Sequence, residues 1–161
     1  MTNRFLSRTV TALAAVVLSI GTALGAPYQK GQKVEAFTSK DQHGQAFTLA
    51  PSKTRFLLVS HDMDTGKKAN KSLNALGKDY LGSKNAVYVA NIHGMPAIGR
   101  AFAMPKMRKY VHRIILGDDA NLIAKFPEQK GKVTVLKLSG GNVSSVSYWD
   151  PAAEKLDDKL K

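Results

Sequence analysis

The sequence predicts an α/β sandwich with one mixed central sheet, an N-terminal β-hairpin and a C-terminal helix. Three observations carry this reading. Two short apolar runs, Arg55-Phe56-Leu57-Leu58-Val59-Ser60 and Ala86-Val87-Tyr88-Val89-Ala90-Asn91-Ile92, have the make-up of strands buried on both faces. Between them Leu73, Leu76, Tyr80 and Leu81 recur at helical spacing with lysines on the other positions. Later, Ser139-Gly140-Gly141 joins two β-patterned segments, a hairpin signal that adds antiparallel strands to the sheet.

Taken in order, the first element is the hairpin. Val34–Thr38 and Gln45–Leu49 flank Asp41-Gln42-His43-Gly44, a polar stretch suited to a turn. After the strand at residues 55–60 and the polar loop 61–65, the spacing predicts a helix from Gly66 to Leu81, closed by Gly82. Residues 86–92 form the second buried strand. Pro96 opens a short helix over Ala97–Ala103, with Ile98 and Phe102 expected inward. Tyr110–Leu116 reads as a third strand, in which His112 alternates onto the solvent side. Residues 117–127 fit either a return strand completing a hairpin or a strand followed by a helix, with Gly117-Asp118-Asp119-Ala120-Asn121 as a turn. Lys132–Leu138 and Asn142–Trp149 are the hairpin strands. Asp150 as cap and Pro151 as first residue begin a last helix reaching Leu160, with Leu156 and Leu160 inward.

Residues 1–25 read as an export signal, with Arg4 and Arg8 before an uncharged Ala/Val/Leu-rich stretch that ends Ala23-Leu24-Gly25. This expectation assigns residues 26–161 to one exported domain in the periplasm or outside the cell. The 161 residues hold no cysteine, which removes thiol catalysis, disulfides, a lipoprotein anchor and Cys-ligated metals together. Twenty-four basic against 12 acidic residues give a formal charge of +12, a field that favours anionic partners. Nucleic acid is disfavoured by the export signal. No Gly-x-Gly-x-x-Gly or P-loop follows any strand, so no cofactor is implied.

Gly31, Val34, Phe37, Asp41, Gly44, Phe47 and Leu49, followed by the strand Phe56–Val59, resemble the opening of exported thioredoxin-like and peroxiredoxin-like proteins. Met95-Pro96 and the run Met104–Tyr110 resemble a Cys-free branch of that superfamily. The resemblance implies a thioredoxin-like sandwich over most of residues 30–160. It also implies a redox cysteine just after the strand, where this chain has His61-Asp62-Met63-Asp64-Thr65-Gly66. A thioether does not cycle as a thiolate does, so the scaffold is expected without its thiol activity.

The same hexapeptide holds the candidate chemistry. His61, Asp62 and Asp64, between a buried strand and a helix, suit a divalent cation or general acid–base work; the competing reading is that Asp64 or Thr65 caps the helix. Asp62-Met63-Asp64 and Gly117-Asp118-Asp119 also imitate the acidic motifs of haloacid-dehalogenase-like phosphatases. In that comparison Thr65 falls one place early, and no Ser or Thr ends the strand 86–92. His43, His61, His93 and His112 lack paired metal-ligand spacing. Lys67, Lys106, Arg108, Lys109 and Arg113 are the candidate anion-binding residues. The expected role is a binding module for an anionic or protein partner in the cell envelope, with a metal-dependent or acid–base enzyme as the alternative.

Overall fold

A computed structural model describes residues 26–161, so the stretch 1–25 that reads as an export signal lies outside the described residues. The central sheet has five strands in the order β5-β4-β3-β6-β7. They are β3 (Phe56–Ser60), β4 (Ala86–Asn91), β5 (Ile115–Gly117), β6 (Val133–Ser139) and β7 (Asn142–Trp149). β3, β4 and β5 run parallel, whereas β6 is antiparallel to both of its neighbours, β3 and β7, which makes the sheet mixed. β3 sits at the centre and all five of its residues are buried, as its unbroken apolar run requires.

Strand alternation sends the two halves of the core to opposite faces. Phe56, Leu58, Tyr88, Val133, Val135 and Trp149 pack under α1 (Met63–Leu76) through Ala69 and Leu73, together with Leu156 and Leu160. Leu57, Val59, Val89, Ile115 and Leu136 face the other way, onto Val34, Leu49 and Phe126. Each such buried side chain contributes about 2 kcal/mol of burial free energy, so a two-sided core forms without any disulfide.

Several expected elements are shifted. The hairpin pairs β1 (Thr38–Lys40) with β2 (Ala46–Thr48), closer to the turn than predicted. Residues before it pair elsewhere: Val34 N donates to the Gly141 carbonyl at 2.9 Å, tying the leading segment to the β6–β7 turn. The helix expected over residues 66–81 starts earlier, at Met63, and is broken by Gly77, whose φ of +95° ends α1 before the one-turn α2 (Tyr80–Ser83). Residues 117–127 form a strand plus a helix, α4 (Ala120–Ala124), in which Asp119 accepts from Asn121 N at 2.8 Å.

The third parallel strand is also shorter than predicted. β5 begins only at Ile115, and Tyr110–Arg113 make a turn instead. His112, expected on the surface, is 1% exposed. Its placement is fixed by the β1–β2 turn, because Gln42 Nε2 donates to the His112 carbonyl at 2.8 Å and Gln42 Oε1 accepts from Ile114 N at 2.9 Å.

The last helix is reduced to a turn and a short 3-10 segment, Leu156–Asp158. Trp149 Nε1 donates to the Glu154 carbonyl at 3.0 Å and the Glu154 carboxylate takes Asp150 N at 2.8 Å, closing the chain into a loop. Asp150 still accepts from Ala152 N, and Leu156 and Leu160 are buried as expected.

The largest correction concerns α3 (Ala97–Met107), which is longer than predicted and turned the other way. Ile98 and Phe102 are 72% and 69% exposed, and Met107 is the helix's buried residue. Arg100 pins its first turn, donating to both Asp118 carboxylate oxygens and to the Ile92 and Met95 carbonyls.

Candidate functional site

Among the described residues, the best-formed groove lies outside the carboxyl ends of β3 and β4, between the start of α1 and the inner side of α3, where open α/β sheets place ligands. Its volume is about 320 Å³. Ser60, Ala90 and Asn91 come from the strand ends, Met63 and Gly66 from α1, and Met95, Gly99, Phe102 and Met107 from α3 and its approach. At the floor the Ser60 and Tyr88 hydroxyls bond each other at 2.8 Å, and burial raises the Tyr88 phenol far above its usual range.

Small residues make room for the groove. A Cβ at Gly66 would meet Ser60 Oγ at 3.4 Å, and one at Gly99 would meet Met95 Cγ at 3.2 Å. With Gly99, Ala103 and Met107 at four-residue spacing on the inner side, the bulkier Ile98 and Phe102 fall outward. Phe102 still reaches the groove edge.

The acidic hexapeptide behaves differently from a ligand cluster. Asp62, not Asp64 or Thr65, is the N-cap of α1: its carboxylate accepts from Thr65 N at 2.8 Å and from the Thr65 hydroxyl at 2.6 Å. Partial desolvation pushes the Asp62 carboxyl up, but these bonds outweigh it and hold it below the usual carboxylate range. His61 points to β6, where Nε2 meets Thr134 Oγ1 at 3.0 Å, and desolvation lowers its pKa. Asp64 stands in solvent, 3.6 Å from Lys67 Nζ. The three side chains are engaged in three directions, and among the described residues no group of three His, Cys, Asp or Glu is placed to hold a metal ion. Asp62→Ala is expected to lower stability by about 1 kcal/mol in urea unfolding, with Asp62→Asn costing less because it keeps an accepting oxygen. Unchanged stability in both would contradict the capping role.

The second acidic motif is likewise structural. Asp118 receives Arg100, which holds its carboxyl below the usual range, and Asp119 caps α4.

The five candidate anion-binding residues divide into two sets and one exposed outlier. Arg113 Nε pairs with the buried Asp41 carboxylate at 3.0 Å, and Arg108 Nε donates to the Gln42 carbonyl at 3.1 Å, so both fasten the β1–β2 turn. Lys109 is exposed. Lys67 and Lys106 line the groove from opposite helices, and Lys106 makes no ion pair among the described residues. Of the α3 residues of the groove the sequence reading named Lys106 as a candidate but not Gly99 or Ala103, for which the one available signal was the spacing of Gly99, Ala103 and Met107.

No family model matches the sequence, and none of the curated proteins does. Solved structures do match by fold. The peroxidoxin BcpB from Mycobacterium tuberculosis superimposes with a TM-score of 0.55 at 16% identity, covering 83% of this chain and 94% of that one. A peroxiredoxin-like protein from Aquifex aeolicus gives 0.54 at 12%, covering 85% and 86%. The thioredoxin domain of a thiol-disulfide oxidoreductase from Bacteroides vulgatus gives 0.51 at 13%, covering 83% and 99%. The chain therefore has the thioredoxin-like fold, and it has it without a cysteine. Among the described residues no helix is long and apolar enough to cross a membrane.

Proposed function

We propose that this is an exported, thioredoxin-like binding module in which an apolar, lysine-flanked groove stands where the resemblance implies a thiol centre. One observation carries the reading: the groove combines an apolar wall with Lys67 and Lys106 at its sides, while the neighbouring Asp62 carboxylate is turned back onto its own helix. It is suited to a partner that presents an apolar group and an acidic one together. The long, flexible methionine side chains in its wall adapt to more than one shape, as binding surfaces often require. Exposed Ile98 and Phe102 extend the apolar surface along α3. The formal charge of residues 26–161, +10 once Arg4 and Arg8 are left out, draws acidic partners in before they dock.

Thermal unfolding with an acidic, leucine-containing peptide tests this. The expected result is a rise in Tm that shrinks at high salt and is absent when the peptide's acids are replaced by amides. A ligand at about 100 times its Kd contributes about 2.7 kcal/mol, which is several degrees for a domain of this size. A comparable shift from divalent cations alone would move the reading to a metal site. No shift from any acidic apolar partner would remove it.

A further inference from the structure

Resting on that reading, we infer that the groove takes a free single-chain amphiphile, a hydrocarbon tail with a carboxylate head. The first argument is hydrogen bonding. In the groove wall Ser60 is bonded to Tyr88, Asp62 to Thr65, Asn70 Oδ1 to His112 Nε2, and Asn91 to both the His61 carbonyl and His93 N. An inserted peptide backbone brings an N–H and a C=O with every residue, and leaving them unpaired is costly. The side-chain oxygens of Asp62, Asn70 and Asn91 are thus taken, which leaves the wall short of acceptors for backbone N–H groups, whereas a hydrocarbon tail needs none.

The second argument is shape and charge. A volume of about 320 Å³ is at the small end of ligand pockets and fits a slender occupant better than a bulky one. Met63, Met95 and Met107 line it, and their unbranched thioethers follow the contour of a flexible chain. Among the described residues Lys67 Nζ is held only by an exposed contact with Asp64 at 3.6 Å, an ion pair that yields readily to a better one. A head at the mouth therefore meets two ammonium groups, Lys67 and Lys106, against one ionised carboxylate, Asp62, whose oxygens are turned onto Thr65.

The test is calorimetric titration of the purified protein with dodecanoate, its shorter homologues and dodecanol. Dodecanoate is expected to bind one to one, weakening about threefold to fourfold for each methylene removed. Lys67→Gln with Lys106→Gln should weaken dodecanoate about tenfold and leave dodecanol unchanged. Ala103→Trp, which fills the groove from a position on α3, should abolish both while Tm stays at or above the wild type. No binding of dodecanoate, or binding unaffected by Ala103→Trp, overturns the inference. Binding confined to anionic phospholipid vesicles, with no response to monomeric dodecanoate, overturns it in favour of a membrane surface. If dodecanoate fails while the acidic peptide still raises Tm, this inference falls alone; if both fail, the binding-module reading falls with it.

Discussion

Replacing Gln42 by Ala is expected to lower stability by about 3 kcal/mol, a fall in Tm of about 10 °C. Gln42 is 1% exposed although it lies in a polar turn. Its amide joins two segments 70 residues apart, donating to the His112 carbonyl and accepting from Ile114 N, while its own N–H donates to the Ile114 carbonyl at 3.1 Å. Truncation removes the side-chain bonds, leaves two buried backbone groups without partners, and opens a cavity; each orphaned group costs about 1–3 kcal/mol. His43→Ala, one residue on and exposed, is the control, because its contribution to the turn is the backbone N–H that donates to Asp41. Urea unfolding of both variants decides the matter: a Gln42→Ala protein as stable as wild type would mean the turn is not what fixes residues 112–114.

The second large effect is on pH. Burial pushes His112 from 6.5 down to about 4, and Nδ1 has no partner in the structure. The ring lies 5.6 Å from Tyr110 and 6.1 Å from Tyr88, centroid to centroid, with Asn70 on Nε2; no carboxylate is among these contacts. In the unfolded chain the imidazole takes a proton near pH 6.5, whereas in the fold it resists until about pH 4. The unfolded state thus binds more protons between these values. Stability is full above pH 6.5 and falls towards pH 4, by about 3 kcal/mol in total. His61, also lowered by burial, adds to the loss in the same direction. Asp41 and Asp62, lowered from 3.8 by their bonds, act chiefly below this window. Urea unfolding across the range should show the slope, and His112→Gln should flatten most of it. A wild-type protein equally stable at both ends would rule out a buried, neutral His112.

The parts legible in the sequence are those whose partners are close in sequence or whose burial is two-sided. The run Phe56–Ser60 leaves little choice but a central strand, and Ser139-Gly140-Gly141 sets the β6–β7 hairpin through two glycines of positive φ. The absence of cysteine is equally direct. What escaped the sequence depends on distant partners. Asp41 and Gln42 look like surface turn residues until Arg113 and Ile114 are brought against them. His112 looked solvent-facing because the strand pattern was extended back from Ile115 through residues that in fact form a turn. On α3 the size of Ile98 and Phe102 suggested an inward face, but Gly99, Ala103 and Met107 occupy the inner side and leave the groove open. The acidic hexapeptide was legible as a strand-to-helix turn with a cap, but the capping residue is Asp62 rather than Asp64 or Thr65, because its carboxylate is the one within reach of Thr65 N.

The way α3 is attached has a kinetic side. Two arginine anchors and one buried side chain, Met107, hold an eleven-residue helix over the groove, while β3 beneath it is wholly buried. α3 takes no part in strand pairing, so a local displacement of this helix breaks no rung of the β-ladder. For the proposed occupant, entry and exit would then follow the motion of this one helix, and Arg100, which fastens its first turn from the surface, is the position through which that motion is tuned.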